Sequence, residues 1–478
     1  LGQLRQYQTN SYPIEEPFLS VLRPYQKEAF QWLMTLSTLG FGGILADDMG
    51  LGKTLEILSF IHQDTIPKPT IIVCPMSLIY NWENECKKWN VNLPVVLILG
   101  NASEREEKIA SIDYESKSIY ITSYDSLRRD IDFYHGMFRF VIADEAQYIK
   151  NQHAMKSEAV KKLRSQIHFA LTGTPIENGL ADLWSIFDFI MPGYLGEYHH
   201  FKSRYESLIL QKDEETLRIL KKRVQPFILR RRKEDVLSDL PPKTEEVYYC
   251  KMDEEQQTIY QAYASRLKDS LKSGGQDILA LITRLRQICI TPELIYDKKF
   301  SSAKLSLALE LTQRALRANH RLLIFSQFAT VFPILGAHLQ ENGIHYQILD
   351  GTTPAQRRME LVDDFNRNPA IQVFMISLKA GGTGLNLTGA DMVIHLDPWW
   401  NISAEKQASD RAHRFGQTKH VHILKLVCKD TIEEKVLKLQ QAKQDLADNV
   451  IKQKESFKIS KQELLALLEG GNEIGENR

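Results

Sequence analysis

Two blocks of short apolar runs, each alternating with helix-length amphipathic stretches, constrain this chain more than any other feature. In the first block the runs are Gly43–Ala46, Ile71–Cys74, Val95–Leu99, Ser118–Thr122, Phe140–Ala143 and His168–Leu171. In the second they are Leu322–Phe325, Tyr346–Leu349, Gln372–Ile376, Met392–Leu396 and His422–Val427. Runs this short that end in small or polar residues read as strands buried on both faces, the mark of a parallel sheet. Parallel strands need crossovers, which the helical stretches supply. The expected fold is α/β, with parallel sheets flanked by helices, and it occurs twice. At 478 residues the chain is also too long for one ordinary core.

Between the blocks, from about Tyr194 to Phe300, the chain is charged and helix-like. It carries Lys221-Lys222-Arg223, then Arg230-Arg231-Arg232-Lys233, then Leu240-Pro241-Pro242-Lys243. Paired prolines stop regular structure and stiffen a connection, which puts the link between the two blocks there. Lys+Arg and Asp+Glu both total 60, so bulk charge neither indicates nor excludes nucleic acid, and local distribution has to decide. No apolar run is long enough for a membrane span, and Leu1 to Asn10 is no signal peptide. The five cysteines are scattered without a C-x-x-C pair, which predicts neither structural zinc nor a disulfide frame and suits a reducing compartment. That expectation means cytoplasm or nucleoid in a bacterium, or the nucleus in a eukaryote. A start at Leu1 reads as a fragment. From Thr431 the tail reads as helix, fading into the polar Gly470–Arg478 end.

The first apolar run leads into Asp47-Asp48-Met49-Gly50-Leu51-Gly52-Lys53-Thr54, a glycine-containing turn at a helix start. Gly50 and Gly52 let backbone N–H groups turn inward around phosphates. Lys53 would neutralise β/γ-phosphate charge, and Thr54 Oγ1 would ligate Mg²⁺. The bland alternative is an ordinary strand-to-helix turn, and Asp47 stands where the general P-loop pattern has glycine. Phe140-Val141-Ile142-Ala143-Asp144-Glu145 ends a buried strand with two carboxylates, at the strand end where α/β folds bind ligands. Asp144 is expected to hold the water shell of Mg²⁺, and Glu145 to orient and deprotonate an attacking water.

Asp144-Glu145-Ala146-Gln147 resembles the DEAD/DEAH box of superfamily-two helicase-like ATPases, in a bacterial-type DEAQ form. Asp47 to Thr54 looks like the Swi/Snf branch of that superfamily, which carries Asp where other P-loops have Gly. Leu22-Arg23-Pro24-Tyr25-Gln26 resembles the branch's adenine-side motif, with Gln26 as base reader because an amide both donates and accepts. Arg23, Gln26 and the loop Asp47, Asp48, Met49, Gly50, Leu51, Gly52, Lys53 and Thr54 form the ATP site that the resemblance implies. Gln407-Ala408-Ser409-Asp410-Arg411-Ala412-His413-Arg414-Phe415-Gly416-Gln417 looks like the family's last motif. Arg411 and Arg414 are spaced i, i+3, which on a helix gives one face. They are expected to reach a γ-phosphate held by the first block, a contribution worth roughly 10³–10⁵ in rate. A solvated basic helix face is the alternative.

The resemblance implies two RecA-like lobes with helical insertions and intact duplex DNA in a cleft. The expected domains are lobe 1 over residues 1–195, a helical protrusion and linker start over 196–240, a lobe 2 protrusion over 241–300, lobe 2 over 301–430, and a C-terminal helical brace over 431–478. Ser77, Trp82, Thr122 and Ser123 in the first lobe match the family's nucleic-acid-facing motifs. So do Gln327, Lys379, Thr383, Asn386 and Trp400 in the second. Their hydroxyls and amides suit phosphates gripped without reading sequence. Leu171-Thr172-Gly173-Thr174-Pro175 resembles the motif coupling nucleotide to track, and Arg230 and Arg231, in a run of four cations, suit a duplex backbone. Phe227 to Val236, Leu285-Arg286-Gln287-Ile288-Cys289 and Leu349-Asp350-Gly351-Thr352-Thr353 resemble further marks of the branch. The expected activity is ATP-driven translocation on double-stranded DNA and displacement of a bound complex such as a polymerase or nucleosome. A strand-separating helicase and an inactive nucleic-acid scaffold are the alternatives.

Overall fold

The computed structural model describes residues 11–440 apart from 152–153, 174–179, 212, 238–240, 274–276, 382–384, 415 and 439. The chain forms two compact units, the first reaching Leu237 and the second beginning at Pro241. Each is built on one parallel sheet.

The first sheet contains β1 (Gly43–Leu45), β2 (Thr70–Cys74), β3 (Val95–Leu97), β4 (Ile119–Ser123), β5 (Phe138–Asp144), β6 (Ser165–Leu171) and β7 (Ile228–Leu229). Their order across the sheet is β3-β4-β2-β5-β6-β1-β7, and every neighbouring pair is parallel. β2 and β4 are buried at every position, as helices on both faces require. Under the sheet, Phe60 on the helix Lys53–Gln63 packs against Phe140 and Phe169, with ring centroids 4.7 and 5.4 Å apart. All strands point one way, so the loops after β1 and β5 emerge at the same edge. Only β6 stands between those two strands, which spaces them by about 10 Å.

The second sheet contains β8 (Lys243–Cys250), β9 (Leu322–Ser326), β10 (Tyr346–Leu349), β11 (Val373–Ser377), β12 (Met392–His395) and β13 (Val421–Cys428). Its order is β10-β11-β9-β12-β13-β8, again parallel throughout. The helices Glu254–Ser273 and Ile278–Ile290 pack on each other beside it, burying Leu267, Leu271, Leu285 and Ile288. A fully buried ion pair, Lys304 to Glu433 at 2.5 Å, ties the helix Ala303–Arg317 to the segment after β13.

Each of the eleven apolar runs coincides with a strand, and two strands lie outside them. β7 and β8 fall within the 196–240 and 241–300 segments expected to be helical protrusions. The helices before β7 bury Phe201, Tyr205, Leu220 and Val224 in the first unit's own core, so this segment is part of that unit's packing. Of the expected brace over 431–478, residues 432–438 are helical and 441–478 lie outside the described residues. No helix among the described residues is long and apolar enough to cross a membrane.

Candidate functional site

β1 ends at Leu45 and the chain turns through Asp47 to Gly52 before the helix Lys53–Gln63 begins. Gly50 and Gly52 have φ of 89° and 90°, a left-handed conformation that side chains resist. A Cβ on Gly52 would also lie 2.5 Å from Gln26 Nε2. No side chain caps the helix N-terminus, so its first N–H groups are available to an anion. Lys53 Nζ donates to the carbonyls of Asp47 and Asp48, at 2.6 and 3.4 Å, folding the lysine over the turn. Tyr25 and Gln26 both donate to the Leu51 carbonyl, at 2.9 and 3.0 Å.

β5 delivers Asp144 to the same sheet edge. Trp82 Nε1 and the Glu145 N–H both donate to its carboxylate at 2.9 Å. Burial, then the neighbouring Glu145 charge, push the Asp144 carboxyl up to about 7, while Trp82 and the Lys53 charge pull it down. A buried carboxyl held this high gains most from a nearby cation. Glu145 adopts φ 53° and ψ 57°, which turns the chain sharply after the strand. Gln147 Nε2 donates to Glu145 Oε2 at 2.8 Å, and Thr172 Oγ1 donates to Gln147 Oε1 at 3.3 Å. A polar chain thus runs from Glu145 to the loop after β6.

In the second unit the loop after β12 carries Asp397, wholly buried. Ser326 Oγ and the Gln327 N–H donate to its Oδ1 at 2.7 and 3.1 Å, and Arg286 donates to its Oδ2 at 3.3 Å. Arg286 also bonds the Pro398 carbonyl and lies 5.9 Å from the Trp400 ring. One carboxylate therefore fixes the loops after β9 and β12 together.

The SNF2-related domain family matches residues 25–294, and the helicase conserved C-terminal domain matches residues 303–416. The first match alone covers more than half of the chain. The chain belongs to the SNF2-related family. An uncharacterized ATP-dependent helicase of Mycoplasma genitalium is 38% identical over 464 residues, covering 94% of this chain and 44% of that protein. A Bacillus subtilis protein named as an ATP-dependent helicase/translocase, YwqA, is 38% identical over 476 residues, covering 95% of this chain and 51% of that protein. The chain spans about half the length of these curated relatives. The Sulfolobus solfataricus SWI2/SNF2 ATPase core in complex with dsDNA is 35% identical, covering 92% of this chain and 95% of that one with a TM-score of 0.48.

In this SNF2-related chain the expected nucleotide residues assemble at one edge of the first sheet, with corrections. Gln26 spends its amide inside the protein: its Oε1 accepts from the Arg23 N–H at 3.1 Å while its Nε2 donates to the Leu51 carbonyl at 3.0 Å, so it braces the loop. The Asp47 carboxylate is buried and turned towards Arg231, away from the turn's open side.

Several expected track contacts are corrected too. Trp82 is 1% exposed and serves Asp144, so a large apolar ring is spent inside the core. Thr122 and Ser123 are buried on β4, Ser123 Oγ accepting from the Ser126 N–H as the cap of helix Tyr124–Asp130. Arg231 is drawn inside by Asp47, while Arg230 is exposed. Ser77 in the turn after β2 and Gln327 after β9 are half-buried, and Asn386 is exposed. Trp400 is half-buried against the Leu285 and Ile288 cluster. Lys379 lies on the short helix Leu378–Gly381 after β11; its side chain, Thr383, Thr174 and Pro175 lie outside the described residues.

Arg411 and Arg414 do not share a helix face, because the helix Ile402–Ser409 ends before them and both sit in turns. Arg411 is wholly buried in its own unit and its carbonyl accepts from the Leu387 N–H at 3.0 Å, whereas Arg414 is half-buried. Glu56 and the inward role of Arg231 were missed from sequence, as was the role of Asp397, within a motif resembling the family's, in holding the loops after β9 and β12 together.

Proposed function

We propose that this chain is the ATP-hydrolysing core of a motor that moves along double-stranded DNA without having to separate the strands, and that it remodels protein–DNA complexes on its track. The observation that carries the reading is an uncapped helix N-terminus bearing Lys53, one strand away from a buried Asp144 whose carboxyl is held up to about 7. The first suits a polyanion and the second a divalent cation, so the residues fit Mg²⁺ with ATP.

Gly50, Gly52 and the first N–H groups of the helix bind phosphate oxygens, with Lys53 adding charge. Thr54 and Asp144 would hold Mg²⁺, directly or through water. When bound, the ion screens phosphate charge and so lowers the barrier to attack. Glu145 accepts the proton of the attacking water, oriented by Gln147. Arg411 and Arg414 would supply the cations that make turnover depend on the second unit. The duplex track is supported by the Swi/Snf-type marks from Leu22 to Gln417 and by the helicase/translocase name of the Bacillus subtilis relative. Ser77, Gln327, Asn386 and the exposed Arg230 are the track contacts proposed from the described residues, with Lys379, Thr383 and Trp400 from the sequence.

The test is steady-state ATP hydrolysis with duplex DNA, single-stranded DNA and RNA of equal length. Duplex is expected to stimulate most, with a steep fall as salt rises, because the contacts are to phosphates. Greater stimulation by single strands, together with strand displacement, would favour the strand-separating reading. No hydrolysis with any track would favour the scaffold.

A further inference from the structure

Four consecutive cations, Arg230 to Lys233, do not form one surface patch. Arg230 and Arg232 are exposed, while the Arg231 side chain is nearly buried and Lys233 is buried. Arg231 donates from Nε to both oxygens of Asp47, at 3.2 and 3.0 Å, and from Nη2 to Asp47 again and to Glu56 Oε1, the last at 2.9 Å. Its Nη1 meets the Tyr25 carbonyl, and its backbone N–H donates to Asp47 Oδ1 at 3.0 Å. Both carboxylates have no solvent exposure, and Glu56 Oε2 has no hydrogen-bond partner among the described residues.

The backbones are joined as well. The Ala46 N–H donates to the Leu229 carbonyl at 2.7 Å, the Asp48 N–H to the Arg231 carbonyl at 3.0 Å, and the Lys233 N–H to Asp48 Oδ2 at 3.1 Å. Every residue from Ala46 to Asp48 is thus tied to the stretch Leu229–Lys233, which begins with the last residue of β7 near the end of the first unit. The buried Asp47 carboxylate beside a phosphate-binding turn would repel a polyphosphate unless a fixed cation balanced it, and Glu56, whose carboxyl burial and then the Asp47 charge push up to about 8, adds to that repulsion when it ionises. A guanidinium does this in a way an ammonium does not, because its planar fork serves several acceptors at once.

We infer that Arg231 is a positioning residue of the nucleotide site: it balances Asp47 and Glu56 so that the turn accepts a polyphosphate, and it locks the turn's shape to β7. This rests on the nucleotide reading given above. It gives Asp47 a purpose that a glycine would not have, since it anchors the turn through Arg231.

The experiment is calorimetric titration of Mg-ADP and Mg-ATPγS into the wild-type chain, Arg231→Met, Asp47→Asn and the double variant. Arg231→Met is expected to weaken both nucleotides by about 10-fold or more, and ATPγS more than ADP because it carries more charge. Adding Asp47→Asn should restore most of the loss, which a mere packing defect would not allow. Duplex affinity and its salt dependence should be unchanged by Arg231→Met and reduced by Arg230→Ala. Nucleotide affinity of Arg231→Met within two-fold of wild type, or a double variant no better than Arg231→Met, would overturn the inference. If Arg231→Met does not fold, Arg231→Lys reads the same point: a partial loss restored by Asp47→Asn supports it, and no loss overturns it. A wild-type chain that binds neither nucleotide would overturn the nucleotide reading itself, and this inference with it.

Discussion

Arg231 in the first unit and Arg286 in the second are both nearly buried, and each grips an aspartate just past the end of a parallel strand. Asp47 follows β1 and Asp397 follows β12. What else each aspartate holds is different. Asp47 shares its arginine with a second buried carboxylate, Glu56, on the helix that starts at Lys53. Asp397 instead accepts from Ser326 and Gln327, in a loop expected to face the track. Under the proposed function the same ion pair would act on nucleotide affinity in one unit and on the arrangement of track-facing loops in the other. A buried pair is costly to desolvate and gives little net stability, but removing one partner strands the other charge. Its value lies in fixing a loop.

Four measurements would break or sharpen that contrast. The largest effect is expected from Arg414→Ala in the second unit: DNA-stimulated kcat falls by roughly 10³-fold while nucleotide affinity stays within a few-fold. A pure affinity defect, read by the same titration as for Arg231, would blur the division between the units. Glu145→Gln in the first unit should leave ATP binding intact and cut turnover by about 10²–10⁴-fold; undiminished hydrolysis would take Glu145 out of its role.

Arg286→Met comes next. Stranding Asp397 should cost roughly 3–5 kcal/mol in denaturant unfolding of the second unit. In the surviving folded protein, duplex stimulation should drop and Mg-ADP affinity should not. A loss of Mg-ADP affinity matching that of Arg231→Met would erase the distinction between the two arginines.

The smallest effect concerns His168 on β6, edge-on to Phe189 with ring centroids 5.0 Å apart. Burial holds its imidazole down to about 4. The folded state keeps it neutral, so the unfolded chain takes up the proton first as pH falls below about 6.5. The stability it contributes is present above that pH and is lost between about 6.5 and 4. Urea midpoints of the first unit should fall across that window, and His168→Gln should flatten the fall. An unchanged slope would remove His168 as a cause.

Legibility from sequence followed burial. Every strand with two covered faces shows as an apolar run. β7 is only two residues long, and β8, Lys-Thr-Glu-Glu-Val-Tyr-Tyr-Cys, lies at a sheet edge with most of its residues exposed, so neither carries the pattern. The strand–turn–helix at Gly50 to Lys53 was readable because glycine spacing is a local property. The partners of Asp47 were not, because Arg231 is 184 positions away in the chain. Trp82 was misread for a related reason: an indole at a loop looks free until the carboxylate it serves, 62 positions on, is brought beside it. The spacing of Arg411 and Arg414 implied a helix that in fact ends at Ser409.

β7 also bears on how the protein comes into being. On the ribosome, the glycine turn after β1 emerges early, yet its anchoring arginine is made only after nearly all of the first unit. Until then Asp47 lacks its guanidinium partner, and a nascent or truncated chain ending before Ile228 would hold the turn without that anchor. Any recombinant fragment meant to bind nucleotide on its own must therefore extend past Lys233.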